Sequence, residues 1–127
     1  MTPEAFRKLA LELPQAVEGQ HMGHADFRVG GKIFATLGYP SLEFATVLIT
    51  REEQLRLLRE APAVFVPVKG GWGLKGSTHV RLAAADRARV KRALQLAWKR
   101  KAPMGREASG AVRSARRRTG QARSSRR

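Results

Sequence analysis

The spacing of apolar residues along the chain predicts three amphipathic helices. The first begins at Thr2-Pro3-Glu4, where a hydroxyl cap precedes a proline and an acid. The second begins with a capping box from Thr50 to Glu53 and is predicted to turn Leu55 and Leu58 inward. The third begins at Asp86 and ends near Pro103. Its predicted buried face consists of Val90, Ala93, Leu94, Ala97 and Trp98.

Strand-like runs occupy most of the chain between these helices. Val17 to Met22 is a weak candidate, and Leu42 to Ile49, rich in β-branched and aromatic residues, is the strongest. Gly30-Gly31 separates two further runs and predicts a hairpin with Val29 opposite Lys32 and Phe27 opposite Phe34. Runs of strands bracketed by helices predict an α+β domain, in which helices pack on one face of an antiparallel sheet.

A glycine-rich stretch, KGGWGLKG from Lys69 to Gly76, lies between two more strand-like runs. Glycines permit backbone geometry that other residues resist, so the stretch predicts a shaped loop, or wing. Trp72 stands in it between Lys69 and Lys75. Two interpretations are open: the indole and the lysines contact a polyanion, in which case Trp72 is at least partly exposed, or the indole covers the core.

The same stretch contains the spacing G-x-G-x-x-G, which also occurs in dinucleotide-binding sites. Such a site needs a helix directly after the glycines, so that the helix N-terminus meets the pyrophosphate. A predicted strand follows here, and the order Lys75-Gly76-Ser77 does not match a phosphate-binding loop either. We therefore expect a tight glycine turn and no nucleotide cofactor.

Positive charge is the most unusual property of the composition. The 127 residues include 25 Lys and Arg against 10 Asp and Glu, for a formal net charge of +15. An excess of this size indicates an anionic partner, most often nucleic acid. Residues 104–127 hold eight arginines and one glutamate, or +7 of the total, so +8 remains for residues 1–103.

Residues 104–127 have almost no apolar bulk and are predicted to be a disordered arginine-rich tail after a domain at 1–103. Arginine-rich arms of this kind typically bind phosphates without reading sequence. The tail residues expected to bind are Arg113, Arg116, Arg117, Arg118, Arg126 and Arg127. The domain residues expected to join them are Arg28 and Lys32 at the first hairpin, Lys69, Trp72 and Lys75 in the wing, and Arg92 and Lys99 on the last helix.

Other chemistry has little support in the sequence. The absence of cysteine excludes a disulfide framework, a thiolate zinc site and a cysteine nucleophile. His21, His24 and Asp26 are too few for a convincing metal site, and no serine stands in a nucleophile pattern. We expect a protein that is not an enzyme and has no metal or other cofactor. With no apolar run long enough to span a bilayer, we expect it in the cytoplasm.

Three segments together resemble the MmcQ/YjbR family: HADFRVGGKIFATL at 24–37, FVPVKGGWGLKGSTHVRL at 65–82 and ALQLAW at 93–98. The resemblance spans roughly residues 1–103 and departs from the family at Ala25, where the family tends to have proline. It implies a frataxin-like (CyaY-like) α+β fold and DNA binding through a double-wing motif. The Gly30-Gly31 hairpin and the Gly70 to Gly76 stretch would be the two wings.

These observations predict a small, non-catalytic DNA-binding protein that is largely sequence-nonspecific. DNA is favoured over RNA as the partner, no membrane is expected, and a monomer is favoured. An alternative is a module that binds a small ligand or another protein, with the Trp72 loop closing over a pocket.

Overall fold

A computed structural model describes residues 1–103, so the predicted tail at 104–127 lies outside the described residues. The α-helices are α1 (Pro3–Leu11), α2 (Arg51–Glu60), α3 (Gly71–Leu74) and α4 (Arg87–Lys101). The strands are β1 (Val17–His21), β2 (His24–Val29), β3 (Lys32–Leu37), β4 (Phe44–Leu48), β5 (Phe65–Pro67) and β6 (Ser77–Arg81). A 3-10 turn, Leu82–Ala84, precedes α4.

The six strands form one antiparallel sheet in the order β1-β2-β3-β4-β6-β5. Side chains from α1, α2 and α4 join side chains of the sheet in one buried cluster, which includes Phe6, Leu57, Leu94, Phe27 and Val47. The predicted α+β class is therefore confirmed. The element order also agrees with the apolar pattern, with four strands before α2 and a strand pair after it.

The predicted helix starts are confirmed by their capping bonds. The hydroxyl of Thr2 accepts a hydrogen bond from the backbone N–H of Ala5 at 3.1 Å. Thr50 and Glu53 form the reciprocal capping box, and the carboxylate of Asp86 accepts from the backbone N–H of Arg89. Each cap satisfies backbone donors that the first helical turn leaves without a partner, so these boundaries are set locally.

The β2–β3 hairpin differs from the predicted register by one residue. Val29 pairs with Lys32 as expected, but Phe27 pairs with Ala35 and not with Phe34. The register shift between Phe27 and Arg28 leaves Phe34 as an extra residue in β3, as in a β-bulge. Phe34 and Ala35 are consecutive and both fully buried, an arrangement that strict alternation along a strand would not allow.

Two predictions about buried helix residues need correction. On α2, Leu57 and Gln54 are buried, while Leu55 is 38% exposed. Gln54 is tolerated inside because its amide donates to the carbonyl of Ser77 at 2.9 Å and accepts from Arg51 at 2.6 Å. On α4, Trp98 is only partly buried at the margin of the core, and its indole N–H donates to the carbonyl of Pro14 at 2.9 Å.

The glycine-rich connection between β5 and β6 is more compact than the predicted loop, because it contains the single-turn helix α3. Gly73 is buried there, and a Cβ on it would lie 1.7 Å from the carbonyl oxygen of Val68. Gly76 has a φ of +114°, and a Cβ on it would lie 2.0 Å from the carbonyl oxygen of Ile49. These two glycines allow main chain to pack on main chain, which explains them without a bound phosphate.

Replacing Gly73 by alanine is expected to lower the free energy of unfolding by about 3 kcal/mol, because the added methyl group has to displace the backbone at Val68. Gly71→Ala is the matched control, since, apart from its chain neighbours and the backbone of α3 itself, no atom of residues 1–103 lies within 4 Å of the Cβ it would add. Urea unfolding of the two variants measures the difference. Equal midpoints would show that α3 does not depend on this close approach.

Candidate nucleic-acid interface

The strand register brings the two glycine-rich turns to the same end of the sheet. Gly30-Gly31 joins the end of β2 to the start of β3, and Ala35 of β3 pairs with Val47 near the end of β4. Because Leu48 in turn pairs with Ser77, the start of β6 and the α3 connection lie at that end too. We call this end, with Gly30–Lys32, Ile49–Arg51, Lys69–Gly76 and the last turn of α4 up to Pro103, the wing end.

Side-chain contacts connect the parts of the wing end. A Cβ on Gly30 would lie 2.8 Å from the ring of Pro103, so the first turn lies directly against the residue that follows α4. The guanidinium of Arg100 donates to the carbonyl of Ile49 at 2.7 Å. Arg51 contacts the carbonyl of Gly73 at 3.5 Å, in the second turn. The two turns therefore belong to one continuous surface.

Cations are concentrated along this surface. They are Lys32, Arg51, Lys69, Lys75, Lys99, Arg100 and Lys101. Partial burial lowers the pKa of Lys101, and the positive charges of Arg100 and Lys32 lower it further. The influence of Lys32 on Lys101 is consistent with the contact of Gly30 with Pro103, which brings the first hairpin to the end of α4. A surface of this kind attracts a polyanion before any specific contact forms.

Trp72 projects from α3 into solvent. Its side chain is 67% exposed, and the neighbouring apolar residue Leu74 is 68% exposed. The ammonium group of Lys75 lies 5.8 Å from the centre of the indole, within the range of a cation–π contact. The predicted exposure of Trp72 is confirmed, and the interpretation in which the indole covers the core is wrong.

Arg28 lies beside the first hairpin, but much of its guanidinium is already bound. It donates to both oxygens of the Asp26 carboxylate, at 2.8 and 3.0 Å. This hydrogen bonding and the attraction of the carboxylate raise the pKa of Arg28. Because Asp26 is fully buried, Arg28 holds a buried charge in place, and it adds less positive field than a free cation would.

The other residues predicted to bind nucleic acid lie in different parts of the chain, and only some of them belong to the wing end. Arg92 lies 3.7 Å from Glu60 at the last residue of α2, so it faces away from the Arg51 end of that helix. Lys99 lies two turns further along α4 and belongs to the wing end. The six predicted tail arginines, Arg113 to Arg127, lie outside the described residues. The structure thus groups Lys32, Lys69, Trp72, Lys75 and Lys99, and separates Arg92 from them.

Three cations of the wing end were not among the predicted binding residues: Arg51, Arg100 and Lys101. The sequence carries a signal for each, because Arg51 follows a capping residue and the other two end a helix. Cations at a helix C-terminus complement the helix dipole. This explanation is sufficient for Arg100 and Lys101 in the sequence, so the sequence offers no reason to assign them a binding role. Only the contact of Arg100 with Ile49 shows that the end of α4 meets the start of α2.

Histidines and aromatic rings form a second cluster on the other face and end of the sheet. The Tyr39 ring lies 5.5 Å from His24 and 6.2 Å from His79, and Phe44 lies 5.8 Å from His79. His79 shares a 2.9 Å hydrogen bond with the hydroxyl of Thr46, and its burial lowers its pKa. Within residues 1–103, no three His, Asp or Glu side chains come together in a way that could hold a metal ion.

The predicted alternative placed the Trp72 loop over a pocket. An open pocket does lie beside β1, but its lining residues are Arg7, Glu18, Gly19, Gln20 and Ala25, none of which belongs to α3. With its indole in solvent, Trp72 does not close this pocket. This pocket is therefore not the one that the alternative predicted.

The fold and the site define a small α+β protein with a cationic end that carries an exposed tryptophan. No helix in the described part of the chain has the length and apolar character to cross a membrane. Residues 11–100 match the family model described as YjbR, and the chain belongs to this family. No curated protein and no solved structure gives a significant match.

Proposed function

We propose that this protein is a small, non-catalytic DNA-binding protein that binds phosphates at the wing end, largely without reading sequence. One observation carries the proposal: both glycine-rich turns, the exposed indole and seven cations share one end of the sheet. Lysine and arginine on a continuous surface neutralise backbone phosphates, and an exposed aromatic ring adds a base or sugar contact.

The dimensions of this surface suit a nucleic acid. Lys32 begins β3 and Lys69 follows β5, three strand positions away in the sheet order. At the usual spacing between strands, these positions are about 15 Å apart. That distance equals roughly four base-pair steps of B-form DNA. Several phosphates of one duplex can therefore reach the cations of the wing end together.

The arginine-rich segment continues from the same place. Pro103 lies against Gly30, so the eight arginines of 104–127 follow the wing end directly in the chain. The +7 of that segment and the +8 of residues 1–103 have the same sign, and their fields add at a shared anchor point. We propose that the tail arginines bind phosphates next to those bound by the wing end.

Binding to duplex DNA is expected to weaken steeply with salt. If about six phosphates are neutralised, a plot of log K against log salt concentration has a slope near −5. Fluorescence anisotropy with a labelled duplex between roughly 50 and 200 mM salt gives this slope, and the same titration with RNA compares the two nucleic acids. Polyglutamate is the control for a general response to polyanions. A duplex that does not bind at about 50 mM salt would contradict the proposal.

A further inference from the structure

We propose that α3 is a stacking element for unpaired bases, so that the preferred ligand of the wing end is a nucleic acid with unpaired nucleotides next to a duplex, such as a gap, bulge or junction. The inference rests on the proposed function and deepens it. Trp72 would stack on the unpaired base, while Lys69 and Lys75 would bind the phosphates on either side.

The first argument is the rigidity of α3. Gly73 packs against the main chain of Val68, and the backbone N–H of Lys75 donates to Gly71 and Trp72 carbonyls in the same turn. Arg51 adds a contact from α2 to the carbonyl of Gly73. A main chain held in this way presents Trp72 from a fixed position, so that binding has to order only the indole side chain, and this favours stacking at a defined place.

The second argument is the chemistry on the surface of α3. Trp72 and Leu74 are about two-thirds exposed, and Lys75 follows Leu74 directly in the chain. Exposed apolar side chains with charged residues around them are a common feature of binding surfaces. An unpaired base has an apolar face, and the backbone carries a phosphate on either side of its nucleotide. This arrangement complements an indole that stands between two lysines. Lys75 already lies near the ring, and on its exposed surface the ring remains open to a ligand.

The third argument is Gly71. Gly73 and Gly76 are required by close main-chain contacts, and Gly70 has a positive φ. Gly71 meets neither condition, because its φ is not in the left-handed region and, apart from its chain neighbours and the backbone of α3, a Cβ on it would have no atom of residues 1–103 within 4 Å. Glycine also has a low helix propensity. Its presence beside Trp72 leaves room for a ligand to approach the backbone.

An intact duplex cannot use this surface well. Its base faces are covered by neighbouring pairs, so the indole could stack only after a base step had been opened. An unpaired nucleotide has already exposed its face. Duplex DNA would therefore bind mainly through phosphates, whereas a gap or bulge would bind through phosphates and the indole together.

The test compares two labelled DNA molecules of equal phosphate count: an intact duplex and a duplex interrupted by three unpaired nucleotides. The full chain is expected to bind the interrupted duplex about tenfold more tightly. Trp72→Ala is expected to abolish that preference, so that the variant binds the interrupted and the intact duplex with equal affinity. Trp72→Phe, which keeps an aromatic ring, should retain part of the preference.

Two further measurements separate stacking from a general loss of binding. In a Trp98→Phe background, Trp72 is the only tryptophan, and its emission is expected to be quenched by the interrupted duplex more than by the intact one. Gly71→Leu, which fills the space beside the indole, is expected to weaken binding of the interrupted duplex more than binding of the intact duplex.

Each outcome decides between the two proposals. Equal affinities for both DNA molecules, unchanged by Trp72→Ala, overturn the stacking inference and leave the proposed function standing. Absence of salt-dependent binding to either molecule overturns both. Vesicles containing anionic lipid provide the remaining arm: a blue shift of Trp72 emission with vesicles, and none with DNA, would assign α3 to a lipid surface and reject the stacking role.

Discussion

Changing Lys32, Lys69 and Lys75 together to glutamate is expected to weaken binding of duplex DNA by at least about 100-fold at 0.1 M salt. These lysines lie on the two turns of the wing end, and each phosphate contact contributes about tenfold at that salt concentration. The slope of log K against log salt concentration is expected to fall by about three. Fluorescence anisotropy at several salt concentrations measures both quantities.

The matched control has the same change of charge at other positions. Arg59, Arg87 and Lys91 are exposed cations outside the wing end, in the last turn of α2 and the first half of α4. Changing these three residues to glutamate is expected to weaken binding far less, because only the general field is reduced. If the two triple variants bound equally poorly, net charge and not the shared end of the sheet would explain the affinity.

Removing residues 104–127 is expected to reduce the slope from about −5 to about −3 and to weaken binding about 50-fold at 0.1 M salt. The reason is the loss of eight arginines that follow Pro103 at the wing end. Residues 1–103 contain every described strand and helix, so the shortened chain keeps both glycine-rich turns. Anisotropy titrations of the full and shortened chains test this expectation.

A second variant distinguishes charge from length. Changing all eight arginines of 104–127 to glutamine keeps the segment but removes its positive charge, and it is expected to reproduce the effect of the deletion. If the glutamine variant bound DNA as the unchanged chain does, the arginines would not contact phosphate. The tail would then have to act in some other way, for example through solubility.

Local signals in the sequence were sufficient for most of the helices and strands. Thr2, Thr50 and Asp86 each cap a helix through bonds within three residues, so no distant contact is needed to place them. Gly30-Gly31 likewise sets its own hairpin turn. The excess of positive charge also follows from composition alone, whereas the exposure of Trp72 was open between two interpretations until the structure showed it.

Features that depend on packing were predicted less well. Leu55 has the apolar character expected of a core residue, yet α2 buries Gln54 because a carbonyl at Ser77 is available to its amide. The extra residue at Phe34 became visible only with the pairing of β2 and β3. The turn of helix at α3 depends on main-chain contacts of Gly73 with Val68, in a neighbouring segment whose position the pattern does not reveal.

By itself, the sequence determined the α+β class, the helix starts, the first hairpin and the charge, because each arises from composition or from bonds over a few residues. Tertiary structure alone decided that both turns, the end of α4 and the start of α2 lie at one end of the sheet. Strand pairing and the contact of Arg100 with Ile49 join residues up to 51 positions apart, and chain order does not specify such contacts.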